Sequence, residues 1–244
     1  MERHFYTYDI RLRKIRFTLQ MKILTLRIYN PTPDYDEMYK LHVEHDPNSV
    51  FLTASNVSEP SYDPATRILV VPGTESLVPG ILEKTIKGIQ YCLDHFSFDI
   101  LIRSNMSTIF DYSKLTEPIT YGGHVWTYKV YNVYKPVWFR FVSGCCTFMN
   151  KDICQQLVKG TFKQDLPDDV AIGYFLRHLP ITFETRYCES SSKSDACVYR
   201  FRADMSRYDQ RQHDIQRMKE FYSTRETVLP ENDGSSETFG VFTP

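Results

Sequence analysis

Two adjacent carboxylates, Asp168 and Asp169, follow a proline in the run Leu166-Pro167-Asp168-Asp169. Paired acids can divide a proton transfer between them, one titrating as general base while its neighbour orients it. The same acids in the first turn of a helix opened by Pro167 would also complement the helix dipole without any chemistry. A second group, Arg103-Ser104-Asn105-Met106-Ser107-Thr108, follows an apolar strand. Its guanidinium, amide and hydroxyls suit a phosphate-bearing ligand, or a turn in which polar side chains satisfy local backbone groups. The small residues of Ser143-Gly144-Cys145-Cys146 admit a close approach by backbone or ligand. Cys145 as a nucleophile would need an activating His or Asn, and the sequence assigns none. Tyr121-Gly122-Gly123-His124 reads as a mobile turn whose Tyr and His meet a sugar face or a phosphate, or as a plain hairpin loop. Arg200 and Arg202 alternate with Tyr199 and Phe201, which puts both arginines on one face of an extended segment. There they contact a diphosphate or stand on a solvated edge.

The elements that must position these groups follow from periodicity. Residues 21–30 read as a buried strand closed by Pro31 and Pro33, and 34–46 carry a helical pattern. VFLTAS and RILVV are further strands, the latter ended by Pro72-Gly73. Val78, Ile81, Leu82, Thr85, Ile86, Ile89 and Leu93 then recur at amphipathic helical spacing, and FDILI follows as a fourth strand. Strand, helix, strand with continuous apolar strands predicts an α/β fold around a covered, mostly parallel sheet flanked by helices. Beyond a loop from Arg103 to Pro118, WFRFVSG reads as a strand and 151–160 as a short helix capped by Asn150. Pro167-Asp168-Asp169 opens another helix, ITFETRY is a strand, and 206–223 form a last, largely charged helix.

With 244 residues, 29 basic and 30 acidic, the chain has none of the basic excess of a general nucleic-acid binder. Its apolar runs are too short to span a bilayer. Its first twenty residues, broken by Arg11, Arg13, Lys14 and Arg16, lack a secretory h-region, so a cytoplasmic protein is expected. The six cysteines form no C-x-x-C pair and read as buried thiols, with a Cys188–Cys197 disulfide as the alternative. One domain over 21–225 is expected, preceded by a basic extension (1–20) and followed by a disordered tail (226–244).

Taken in order, these segments resemble the fringe-like and beta-1,3-glycosyltransferases of GT-A fold, including relatives in large DNA viruses and protists. LPDDVAIGYFL resembles that family's acidic-pair helix, with Gly173 in its small hydrophobic stretch. FVSGCCTFMNKDICQQL resembles the Gly-containing strand and short helix before it. PGTESLVPGILEKTIKGIQYC resembles the helix preceding the metal loop, whose place is taken by FDILIRSNMSTIFDYSKL.

The resemblance implies a single Rossmann-like GT-A domain. It implies an inverting enzyme that moves a sugar from a nucleotide-sugar donor, UDP foremost, to a hydroxyl of a glycan or glycoprotein. Asp169 would be the base and Asp168 its orienting neighbour or an acceptor ligand. The donor would lie near Thr25, Arg27, Glu75, Lys84, Arg103, Ser104 and Asn105, and the acceptor near Gly144, Cys145, His124 and Tyr121. The family's Mn²⁺ or Mg²⁺ would meet Arg103, Ser104 and Asn105 in place of its acids, so only the Asn105 carbonyl remains as a ligand. A module that keeps the fold and only binds a glycan or a partner is the alternative reading.

Overall fold

The computed structural model describes residues 21–131, 136–185, 196–202 and 211–226. The N-terminal extension, the tail from 227 and Cys188 lie outside the described residues. The apolar run read first is β1 (Ile23–Ile28), which has parallel neighbours on both sides. These are β2 (Ser49–Ser55) and β5 (Ile100–Asn105). A strand enclosed in this way must be apolar on both faces, hence the unbroken run. β4 (Ile68–Pro72) continues the parallel set beyond β2, and β3 (Ser61–Asp63) ends it antiparallel. On the other side β5 pairs antiparallel with β8 (Pro136–Asn150), β8 pairs antiparallel with β7 (Tyr121–Tyr131), and β7 pairs parallel with β9 (Phe183–Glu184). The sheet order is β3-β4-β2-β1-β5-β8-β7-β9, and β6 (Thr108–Phe110) pairs with β10 (Val198–Arg200) in a separate two-stranded sheet.

Helices cover both faces, giving the expected α/β, Rossmann-like layout. α1 (Pro33–His45) starts where the Thr32 hydroxyl caps Tyr35 N–H, with Pro33 and two acids in the first turn. α2 (Gly80–His95) buries Leu82, Thr85, Ile89 and Cys92, much as the periodicity predicts. It lies with α3 (Lys151–Val158) and α4 (Asp168–Phe175) over Leu24, Leu26, Leu52 and Leu101. α1 and α5 (Arg211–Glu226) cover the opposite face around Met38, Phe51, Ile215 and Met218.

Four local expectations are corrected. The loop expected from Arg103 begins later, because Arg103, Ser104 and Asn105 continue β5 in register with Leu26, Arg27 and Ile28. Tyr121-Gly122-Gly123-His124 is no turn but the start of the long strand β7. A Cβ on Gly122 would lie 2.7 Å from Phe183 Cβ, and one on Gly123, at φ +141°, 2.6 Å from Val142 Cγ1. These glycines allow strands to approach closely. The strand expected over WFRFVSG does not end there, because Ser143-Gly144-Cys145-Cys146 lies inside the fifteen-residue strand β8. Pro167 takes the N-cap position of α4, so Asp168 is its first residue.

The last helix, described over Arg211–Glu226, is not merely charged, since Ile215, Met218, Phe221 and Tyr222 are buried. Residues 203–210 and 186–195, including the end of ITFETRY and the polar loop, lie outside the described residues.

Candidate functional site

Open α/β sheets collect ligands beyond the carboxyl ends of their parallel strands. A cleft of about 770 Å³ lies there, bordered by Ile28 at the end of β1 and Asn30 just beyond it, Glu75 after β4 and Asn105 at the end of β5. Its floor is made where β8 leaves its ladders. The β7–β8 register jumps between Gly123↔Thr147 and Val125↔Val142, and β5 pairs β8 only as far as Ser104↔Cys146. Ser143, Gly144 and Cys145 therefore stand in a bulge, the device by which strands redirect backbone groups near active sites. Gly144 N–H donates to Asp169 Oδ2 at 3.0 Å, and Gly144 C=O accepts from Arg103 Nη1. Cys145 C=O accepts from Ser104 Oγ at 3.0 Å.

α4 brings the acids to this bulge. Gly173 makes the approach possible, since a Cβ there would collide with Phe141 Cβ and lie 3.0 Å from its Cα. Asp169 is half-buried, and its Oδ1 accepts from Val170 N–H at 2.9 Å. Both oxygens are thus oriented by backbone donors, yet each keeps a lone pair. Asp168 is buried, with Oδ2 2.6 Å from Arg103 Nη2. That approach is close but poorly aligned, and among the described residues neither Asp168 Oδ2 nor Arg103 Nε has a hydrogen-bond partner. Burial pushes the Asp168 carboxyl above its ordinary pKa, against the pull of Arg103 and with help from neighbouring Asp169. Gly144 also gives the guanidinium room, since a Cβ there would lie 2.7 Å from Arg103 Cζ.

Several other expected residues meet in the same cleft. Buried Lys84 and half-buried Glu75 form an ion pair at 2.6 Å. Lys84 also donates to Tyr29 C=O, and Glu75 Oε1 accepts from Thr53 Oγ1 and Ala54 N–H. Burial lowers the Lys84 pKa, opposed by Glu75. Arg200 and Arg202 also border the cleft, with Arg202 exposed.

Thr25, Arg27, Ser104, Tyr121 and His124 are not on its wall. Thr25 Oγ1 bonds the Tyr112 hydroxyl at 2.8 Å, and Ser104 is fully buried. Arg27 is closed within the opposite face. Tyr121 is 2% exposed beneath a second hollow beside Pro180, and His124 Nδ1 bonds Thr185 C=O at 3.3 Å. Cys145 borders the cleft but is 1% exposed, its sulfur 3.5 Å from that of Cys146. Burial raises the Cys146 thiol pKa well above its ordinary value, so this stretch suits packing better than nucleophilic attack. The free thiol of Cys197 is also buried.

Among the wall residues that sequence reasoning missed are Tyr35, Trp126 and Arg211. Arg211 Cζ stands 5.7 Å from the Tyr35 ring centroid. Its only signal was a place near the start of a charged helix.

The donor set does not fit a hard divalent cation. Asn105 Oδ1 accepts from Arg103 Nη1 at 3.0 Å, so the one neutral ligand is held by a positive group. The carboxylates of Glu75 and Asp168 are each paired with a cation. Among the described residues no three His, Cys, Asp or Glu side chains gather to hold a metal, and no helix is long and apolar enough to cross a membrane.

No family model matches the chain, and no curated protein matches it. Among solved structures it is similar to a glycosyltransferase involved in the glycosylation of the major capsid of PBCV-1, with 14% identity and a TM-score of 0.44, over 81% of this chain and 99% of that one.

Proposed function

We propose that the chain is an inverting glycosyltransferase. It would move a sugar from a nucleotide-sugar donor, with UDP the nucleotide that the resemblance implies, to a hydroxyl of a glycan or glycoprotein. The observation that carries this reading is Asp169, a half-buried carboxylate fixed by two backbone N–H groups on the floor of a cleft bordered by arginines.

In that reaction the acceptor oxygen attacks the anomeric carbon while the bond from that carbon to the diphosphate oxygen breaks. The bonding pair leaves with the diphosphate, and Asp169 takes the hydroxyl proton. Negative charge grows on the departing phosphates and needs fixed positive partners. Arg103 is ill placed for that role, because both its terminal nitrogens are engaged by Gly144, Asn105 and Asp168. Arg200, Arg202 and Arg211 border the same wall and are the arginines assigned to it. No step requires a metal.

Asp169→Asn should lower transfer by about 10²-fold or more while calorimetric binding of the nucleotide persists. Undiminished transfer by this variant contradicts the assignment. The second reading, a glycan- or partner-binding module, is favoured by the capture of Asn105 by Arg103 where the resembled family has acids. Hydrolysis or transfer of a nucleotide-sugar by purified protein excludes it.

A further inference from the structure

The chain has two tryptophans, and both stand more than half exposed on the β7–β8 ribbon, Trp126 at 53% and Trp138 at 62%. Their registers place them on opposite faces, since Trp126 faces Phe141 across the ribbon and Trp138 faces Lys129 three pairs along. Trp138 has a partner that accounts for it, the Lys129 ammonium 5.4 Å from its ring centroid. Trp126 instead borders the cleft that holds Asp169 and Ser143. The His124 ring meets it edge to face, with centroids 5.5 Å apart and planes at 68°, and His124 is itself tied to Thr185 C=O. The indole is therefore braced on one side and open on the other.

We propose that Trp126 is the platform for the acceptor sugar, a pyranose lying with its C–H face on the indole and its attacking hydroxyl turned toward Asp169. This rests on reading the cleft as a site of glycosyl transfer. A pyranose is apolar on its face and polar around its edge. It therefore suits a flat aromatic surface beside a carboxylate that retains lone pairs. A cationic ligand would also seek an aromatic face, but Arg200, Arg202 and Arg211 on the same wall repel it. A nucleobase is the other natural stacking partner. The rule for parallel sheets puts the nucleotide beyond β1, whereas Trp126 is on β7, separated from β1 by β5 and β8. At about 4.8 Å per strand spacing the two positions are roughly 14 Å apart. The base and the acceptor thus occupy different ends of one cleft.

Trp138→Phe leaves Trp126 as the only indole, so its fluorescence reports this position alone. Methyl glycosides of glucose, galactose, mannose, rhamnose and xylose are titrated as probes, with UMP and UDP as nucleotide controls. A saturable change with at least one glycoside is expected, and none with UMP. Trp126→Ala should raise the acceptor KM about tenfold, with UDP affinity unchanged, and Trp126→Phe should recover most of that loss. A response to UMP without one to any glycoside overturns the proposal and gives the ring to the base. An acceptor KM unmoved in Trp126→Ala overturns it as well. If the wild type binds no nucleotide and transfers no sugar, the reading of the cleft has failed. Nucleotide binding with no glycoside response sinks the platform alone.

Discussion

Two buried arginine–aspartate pairs stand on neighbouring strands and on opposite faces of one sheet. Arg27 on β1 meets Asp46 at 2.7 Å, and Arg103 on β5 meets Asp168 at 2.6 Å. Leu26 lies opposite Arg103 and Arg27 opposite Ser104, which sends the two guanidiniums to different faces. Around Arg27 every nitrogen is engaged, with Ser49 Oγ, Thr108 C=O, Asn105 C=O and Asp46 as acceptors. Asp46 in turn accepts from the hydroxyls of Ser49 and Tyr112 and from Asn48 N–H. Around Arg103 and Asp168 one nitrogen and one oxygen lack a hydrogen-bond partner among the described residues, and both residues border the cleft.

The titration of the two acids diverges accordingly. Burial alone would raise both, but Arg27 and the Ser49 hydroxyl bring Asp46 below its ordinary pKa, whereas Asp168 stays above its own. A closed network favours the charged form and belongs to the fold. An incomplete one leaves its charge under tension and belongs to the site.

The largest effect expected from this contrast is on stability. Arg27→Met leaves Asp46 charged and without its main partner, and should cost about 3–5 kcal/mol in urea unfolding. A loss below 1 kcal/mol would place the closed pair outside the fold's main supports. Gly144→Ala acts on the other side, because its Cβ must displace the Arg103 guanidinium and with it the bulge that holds Asp169. Transfer should fall about 10²-fold, as for a small misplacement of a catalytic group, while the fold persists. Wild-type turnover in this variant would disconnect the bulge from the chemistry.

A pH effect comes next, and it tests the closed face. His42 Nε2 donates to Met106 C=O at 2.6 Å and Nδ1 accepts from the Tyr222 hydroxyl at 3.0 Å, so the buried ring is neutral. Burial, aided by Arg27, lowers its pKa to about 3 from 6.5. The unfolded chain then binds the extra proton between those values. Stability should fall as pH drops from about 6.5 toward 3, with a shallower slope in His42→Gln. Equal slopes would mean that other groups govern the acid limb. The smallest effect is expected at the cleft wall, where Arg211→Ala should weaken UDP binding about tenfold, through loss of one charge-assisted contact.

Much of this frame was legible in the sequence. The parallel strands, α2, the Asn150 cap and the acid-led helix all follow from periodicity and end signals, because local burial and capping determine them. Asp168, Asp169, Arg103, Glu75, Lys84, Arg200 and Arg202 do share a cleft. The partners that decide their roles were not legible. That Arg103 is spent on Gly144, Asn105 and Asp168 depends on a bulge in a long antiparallel strand, and a bulge leaves no period of its own. Glycine at 122, 123 and 144 signals a turn and a close approach equally well, and only the strand across from it decides. Arg27 gave no sign of being enclosed, since its acceptors come from positions 46, 49, 105 and 108. Trp126 was unremarked because one aromatic in a strand says nothing of the cleft beside it.

The central claim is that the open pair serves the site and the closed pair serves the fold. The most direct measurement sets Asp168→Asn beside Asp46→Asn, reading urea unfolding and sugar transfer per folded molecule for both. Asp46 is favoured as a carboxylate, and its contribution is present above its unfolded pKa and lost as pH falls, so Asp46→Asn should be destabilised at pH 7 with transfer per folded molecule retained. Asp168 carries a raised pKa, and its stabilising contribution is lost as pH rises through the folded value. Asp168→Asn should therefore be as stable as wild type at pH 7, or more so, while transfer falls at least about tenfold. Full transfer by Asp168→Asn, or a loss of stability in it equal to that of Asp46→Asn, would contradict the account.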